Sequence, residues 1–114
     1  MKLQIEAQKL RVRIDEDELS TLLGGRVLHC VTHFANAFSI RVAIQAGASE
    51  AATFTGEAEA WRIVLPETEL RQHAARLPSR DGLRYTLPGP VKVATLELLF
   101  DVDVRDSVRR RRDS

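Results

Sequence analysis

The sequence predicts an α+β fold with two short helices and about eight mostly antiparallel strands, arranged as a strongly curled sheet or a barrel. The evidence is alternation of apolar and polar side chains in many short stretches, two helical patterns, and a ten-residue sequence pattern that occurs twice. Residues 10–19 return in similar form at residues 61–70, each time running from a strand pattern into acidic residues that suit a helix N-terminus. A strand-strand-helix-strand-strand order is therefore predicted twice, as a pseudo-twofold repeat. The alternative is chance recurrence of a short amphipathic phrase.

The chain opens with two predicted antiparallel strands. Leu3 belongs to one run of alternating apolar residues, and Leu10 belongs to a second run that is one residue out of phase. A slip of this kind indicates a tight turn or a bulge, which we place near residues 7–9.

The first helix is predicted from its two ends. Asp15 is a favourable N-cap, and Glu18 follows at the spacing of a capping box. Gly24 and Gly25 then supply the left-handed stop that often ends a helix. The acidic residues at its start resemble a catalytic or metal-binding cluster, but capping and the helix dipole account for them.

A hairpin and a second copy of the plan follow. Residues 26–34 and 38–44 alternate on either side of a turn, which predicts two paired strands. In the second half, residues 53–58 and 61–65 predict strands, and Leu70, His73, Ala74 and Leu77 form the stripe of a second helix. The last two strands are predicted at residues 83–87 and 91–102.

The length of the chain favours one domain. Two halves of about 50 residues are each too small to bury an independent core. We therefore predict a single α+β domain at residues 1–104, built from half-repeats 1–47 and 51–104 that pack their apolar faces together. Residues 105–114 are predicted to be a disordered, Arg-rich tail.

The charge distribution argues against broad nucleic-acid binding by the fold. The net charge is +1, but residues 105–114 hold five arginines and two aspartates, which leaves −2 on residues 1–104. Nucleic-acid binding depends on many phosphate contacts from one basic face. Cys30 is the single cysteine, and no apolar run reaches the roughly 20 residues of a membrane span. We expect a cytoplasmic protein that does not bind membranes.

Several short stretches in the first part of the chain form a recognisable pattern. They are the opening Met1-Lys2-Leu3, then Leu10-Arg11-Val12-Arg13-Ile14, Glu18, Gly25-Arg26-Val27, Phe34 and Ile63-Val64-Leu65-Pro66. In these stretches the chain resembles a family of short, uncharacterised bacterial proteins that share a domain of unknown function. The resemblance implies a single small domain of mixed strands and helices, and it supplies no activity.

His29, Cys30 and His33 form the densest group of metal-ligand residue types. On a strand, however, His29 and His33 lie about 13 Å apart, and Cys30 points to the other face. A shared zinc ion needs all its ligands within roughly 2.3 Å. We therefore predict no metal site and no cofactor, and we interpret Cys30 as a small core residue.

Six residues are candidates for a ligand site between the two halves. Arg11, Arg13 and Arg41 point away from the apolar faces of their strands and could together form a cationic face for an anion. An ordinary solvated surface is the alternative. Trp61 and Tyr85 are candidate pocket walls, and Trp61 is otherwise a core residue. His73 is otherwise a half-buried, hydrogen-bonded histidine at the rim of the second helix.

The tail offers a separate hypothesis. Arg109, Arg110, Arg111 and Arg112 could contact nucleic acid or an acidic partner by charge alone, although no aromatic residues lie between them to stack on bases. Such runs are also common as solubilising chain ends.

The sequence favours a non-enzymatic interaction or accessory module, as a homo-oligomer or with another protein. It shows no glycine-rich phosphate loop, nucleophile elbow or paired catalytic carboxylates. A small-molecule or anion binder and weak nucleic-acid contact through the tail are the alternatives.

Overall fold

A computed structural model describes residues 1–91 and 94–104. These residues form an α+β structure with two helices and eight strands. In chain order the elements are β1 (Lys2–Glu6), β2 (Lys9–Asp15), α1 (Glu16–Leu23), β3 (Leu28–Phe34), β4 (Phe38–Gly47), β5 (Thr53–Glu57), β6 (Ala60–Pro66), α2 (Glu67–Ala75), β7 (Leu83–Leu87) and β8 (Leu96–Asp103).

The element order strand-strand-helix-strand-strand occurs twice, and a common origin of the two halves stays a prediction. The last strand is shorter than the sequence indicates, because β8 begins at Leu96 and Val91 lies outside it. The predicted disordered tail at residues 105–114 lies outside the described residues.

The strands form two four-stranded sheets, with the orders β1-β2-β8-β7 and β3-β4-β6-β5. In each sheet the two central strands, β2 with β8 and β4 with β6, are parallel, and each outer strand is antiparallel to its neighbour. The prediction of one mostly antiparallel sheet or barrel is therefore wrong. Each sheet is mixed and, within the described residues, open at two edges.

The physical reason lies in the position of each helix. In each half a helix separates the second strand from the third. A hairpin therefore forms only between the two strands before the helix and between the two strands after it. The hairpin before α1 then pairs with the hairpin that ends the chain, through their inner strands. Local patterns predict hairpins, whereas this pairing joins residues far apart in sequence.

The described chain comprises two compact units. The first contains Met1–Leu19 and the described residues from Gln72 onward, with β1, β2, β7 and β8. The second is Ser20–Arg71, with strands β3 to β6. The boundaries of these units differ from those of the half-repeats 1–47 and 51–104, and the single domain stays a prediction.

The first unit buries one face of its sheet. Val12 and Ile14 on β2 are each 1% exposed, and their partners Phe100 and Val102 on β8 are also buried. Because side chains alternate along a strand, the residues between them point to the opposite, polar face. The apolar alternation seen in the sequence thus identifies the buried side of both central strands.

Helix α1 begins at the predicted capping box. The backbone N–H of Glu18 donates to Asp15 Oδ1 over 2.8 Å, and the N–H of Asp15 donates to Glu18 Oε1 over 3.1 Å. At the other end Gly25 has a φ of 80°, the left-handed conformation that glycine adopts most readily. Both ends of this helix were predicted correctly from local sequence.

The second unit buries Val42 and Ile44 on β4 and Ile63 and Leu65 on β6. The β3–β4 hairpin turns at Ala35, Asn36 and Ala37, where Ala35 has a φ of 52° and the N–H of Ala37 donates to the carbonyl of Phe34. Neither helix in the described part of the chain is long and apolar enough to cross a membrane.

Candidate functional site

Arg11 and Arg13 converge on the carboxylate of Asp101, on the polar face of the first unit's sheet. Arg11 donates from Nε over 3.0 Å and from Nη2 over 2.6 Å to Asp101 Oδ2. Arg13 donates from Nε over 3.0 Å to Oδ1. The parallel register between β2 and β8 places Arg13 beside Asp101 and Arg11 one position away on the same face. One carboxylate therefore holds two guanidinium groups together.

The ion pairs outweigh the effect of burial on Asp101, whose side chain is 21% exposed. Burial raises the pKa of Asp101, but the hydrogen bonds and charges of Arg13 and Arg11 lower it, and the net pKa lies below the ordinary value of 3.8. Asp101 is therefore ionised at neutral pH.

A shallow depression of about 430 Å³ lies beside this cluster. Its lining includes Arg11 and Asp101 together with Arg80 and Arg84. Within residues 1–91 and 94–104, Arg80 and Arg84 form no ion pair. Asp81 also lines the depression, so three guanidinium groups face two carboxylates. The surface keeps an excess of positive charge that can bind an anion through paired N–H donors.

Arg41 lies in the second unit, on β4, beside Val31 of β3 and Ala60 of β6. The structure thus brings Arg11 and Arg13 together, whereas Arg41 belongs to the other unit. The single cationic face proposed from the sequence for all three arginines stays a prediction.

Trp61 and Tyr85 are half-buried residues of different units. The indole Nε1 of Trp61 donates to the carbonyl of Ala58 over 2.8 Å, and its ring centre lies 5.5 Å from that of Phe54. Tyr85 lies on β7, opposite Leu98 of β8. Both contacts of Trp61 therefore lie within its own β5–β6 hairpin, and its indole N–H is already hydrogen-bonded there.

His73 is buried more completely than the sequence predicts. Its exposed fraction is 1%, and neither ring nitrogen has a hydrogen-bond partner in the described part of the protein. The expected half-buried, hydrogen-bonded histidine is therefore wrong. Burial and the charge of Arg76 lower the pKa of His73 and Asp101 raises it, with a net lowering. The imidazole is neutral at pH 7.

The histidines of β3 are separated from Cys30 as the strand alternation requires. His29 and His33 share one face with their β4 partners, where His33 Nδ1 lies 2.6 Å from Ser39 Oγ. Cys30 is half-buried and lies on the other face. Across residues 1–91 and 94–104 no group of three or more His, Cys, Asp or Glu side chains could hold a metal ion.

A feature that sequence reasoning missed is the apolar outer end of the β3–β4 hairpin. The rings of Phe34 and Phe38 stack with centres 4.9 Å apart, yet they are 45% and 50% exposed. Val31 is 48% exposed on the same hairpin, but it lies on the opposite face of β3, with His29 and His33. Strand β6 pairs with β4 only from Arg41 onward, so the outer end of the hairpin extends past its neighbour. We call Phe34 and Phe38 the hairpin-end patch.

The sequence places Phe34 and Phe38 on an apolar face but does not show that this end of the face is exposed to solvent. The remaining candidates, Arg109, Arg110, Arg111 and Arg112, lie outside the described residues.

No protein-family model matches the chain, and none of the curated proteins matches it either.

Replacing Asp101 with Asn tests the Arg–Asp cluster. Because the folded pKa of Asp101 lies below 3.8, its ion pairs contribute stability at neutral pH that is lost as pH falls through the folded pKa. We expect Asp101→Asn to lower the free energy of unfolding at pH 7 by about 1 to 3 kcal/mol. This deficit should shrink as the pH falls below the ordinary value, in urea denaturation followed by circular dichroism.

Glu97→Gln is the matched control, because Glu97 lies on the same face of β8 and forms no ion pair with another described residue. A deficit for Asp101→Asn that equals the control's, or that does not change with pH, would contradict this account of the cluster.

Proposed function

We propose that the protein is a non-enzymatic interaction module and that the hairpin-end patch is its binding surface. The observation that carries the proposal is the stacked pair of Phe34 and Phe38, which stays about half exposed at the outer end of the hairpin. Aromatic residues are enriched at the centres of protein interfaces. Contiguous exposed apolar side chains mark surfaces that bind partners.

The energetic argument is simple. Fully burying a large apolar side chain is worth roughly 1.5 to 3 kcal/mol, so covering the exposed half of each patch residue yields on the order of 1 kcal/mol. Phe34 and Phe38 already hold each other in place, which reduces the side-chain entropy lost on binding. The patch is therefore suited to contact a partner without rearrangement.

The environment of His73 supports a non-enzymatic role. Acid–base catalysis needs a titratable group within hydrogen-bond distance of a partner or substrate. His73 is buried, and its ring nitrogens have no such partner within residues 1–91 and 94–104. The resemblance to uncharacterised bacterial proteins adds no activity to this proposal.

Photo-crosslinking tests the patch directly. Phe34 is replaced by p-benzoylphenylalanine, which keeps an aromatic ring at the position, and the full chain is irradiated in cells that express it. We expect ultraviolet-dependent adducts, because a partner that covers the patch lies within reach of the probe. Their masses, measured after purification, distinguish a second copy of the chain from another protein.

The same probe at Thr86, an exposed residue on β7 of the other unit, is the control. Adduct formation at Phe34 no greater than at Thr86 would overturn the proposal.

Anion binding beside Asp101 is a second candidate function. Arg80 and Arg84 favour it, since they line the depression next to Arg11 without an ion pair among the described residues. A phosphate or carboxylate group could accept hydrogen bonds from these guanidinium groups. The sequence-based hypothesis concerned a small molecule or an anion bound between the two halves. This candidate concerns an anion only, bound beside Asp101.

Thermal denaturation in phosphate, compared with chloride at equal ionic strength, tests this candidate. A ligand that binds the folded state at about ten times its dissociation constant adds about 1.4 kcal/mol, which raises Tm by several degrees. We expect Arg84→Gln to abolish the rise. Arg62→Gln, which changes an exposed arginine of the other unit, should retain it. Equal Tm values in the two salts would contradict phosphate binding at this surface.

A further inference from the structure

Strand β3 is the least protected sheet edge in the described part of the protein. The other three edge strands each carry charge: Lys2 and Glu6 on β1, Glu57 on β5 and Arg84 on β7. Charged residues, proline and bulges are the usual devices that keep an edge from pairing with another chain. The sequence of β3, LHCVTHF, contains no lysine, arginine, acidic residue, proline or glycine. This edge is therefore open to a further strand.

The backbone of β3 presents hydrogen-bonding groups at that edge. The carbonyl of Phe34 accepts from Ala37 within the hairpin, so Phe34 directs its backbone groups toward β4. In an antiparallel ladder this direction alternates from residue to residue. The N–H and C=O groups of His29, Val31 and His33 consequently point away from β4, to the side on which β3 has no neighbouring strand.

The residue types of β3 are nearly symmetric about its centre. Val31 is the middle residue of the seven, with a small residue, a histidine and a large apolar residue following in the same order on each side. An antiparallel strand paired with its own copy has a twofold axis that makes such positions face each other. Cys30 then opposes Thr32, His29 opposes His33, and Leu28 opposes Phe34.

We propose that β3 pairs antiparallel with β3 of a second copy of this chain, about a twofold axis at Val31. In this register the outward groups of Val31 bond to Val31 of the other copy, and those of His29 bond to His33. Each such backbone bond adds to the stability of the pair. Phe34 of the hairpin-end patch gains contact with Leu28 of the other copy.

Other registers are worse for a definite reason. A shift by one residue sets outward-pointing backbone groups against groups that point to β4, and it also exchanges the two faces. A shift by two keeps the direction of the bonds but leaves two residues of each β3 unpaired. Only the register centred on Val31 pairs the whole strand, Leu28–Phe34.

This inference rests on the proposed function, because it names the partner of the same hairpin. Sedimentation velocity over a wide concentration range tests it with the full-length chain. We expect a concentration-dependent species of twice the chain mass of 12.8 kDa. Val31→Lys sets two like charges against each other at the axis and should raise the dimer dissociation constant about tenfold or more.

Ile5→Lys is the matched control, since Ile5 is an apolar residue 66% exposed on the edge strand β1. It should leave the dissociation constant unchanged. A wild-type chain that stays monomeric at its highest soluble concentration overturns the inference, as does equal weakening by both variants. If the chain stays monomeric but adducts with a different protein form at Phe34, the proposed function stands without the dimer. The absence of adducts of either kind overturns both.

Cysteine pairing tests the register itself. Thr32→Cys places a thiol opposite the native Cys30 of the other copy, at a position where directly opposed side chains of an antiparallel pair are about 5 Å apart. With oxidised glutathione as the oxidant, we expect a disulfide-linked dimer on non-reducing electrophoresis. The same variant in a Cys30→Ser background should give no comparable product, because the introduced thiol then faces a hydroxyl group of the other copy. Equal cross-linking in both backgrounds would overturn the register.

Discussion

The arrangement of this protein depends on the parallel pairing of strands that are distant in sequence. In the first unit β2, near the start of the chain, pairs with β8, near its end, over the whole length from Lys9 to Asp15. This ladder places Val12 beside Phe100 on the buried face and Arg13 beside Asp101 on the polar face. Because entropy opposes the closing of so long a loop, the pairing must be held by the apolar contacts and the ion pairs together.

The equivalent constraint in the second unit explains its exposed surface. Parallel pairing of β4 with β6 begins only at Arg41, although β4 itself begins at Phe38. The outer end of the hairpin therefore has no strand beside β4, and β3 is the edge of the sheet. The exposed aromatic pair thus follows from the offset between β4 and β6, whereas the open edge follows from the strand order of the sheet.

Local features of the fold were predictable because their causes are local. Asp15 and Glu18 form a capping box that is visible from their spacing, and Gly25 ends the helix with a conformation that few other residues adopt as easily. Alternating side chains gave the hairpin β3–β4 with its turn in the correct place. Two short helices and eight strands follow from such patterns, whereas the pairing of strands between hairpins does not.

The candidate sites show the same limit. The sequence indicated that Arg11 and Arg13 share the polar face of β2, but their partner Asp101 lies on a strand that only the parallel register brings near. For Phe34 the sequence indicated the correct face but not its exposure, which depends on where β6 begins to pair with β4. In both cases the missing information was the non-local register.

Nuclear Overhauser contacts between the backbones of β2 and β8 test the central claim most directly. In the parallel arrangement the backbone of Lys9 lies beside that of Glu97, and Asp15 lies beside Asp103. We expect interstrand contacts to follow this order along the whole ladder. A reversed order, with Lys9 beside Asp103, or contacts from β2 to β1 alone, would contradict the arrangement on which the first unit and its Arg–Asp cluster depend.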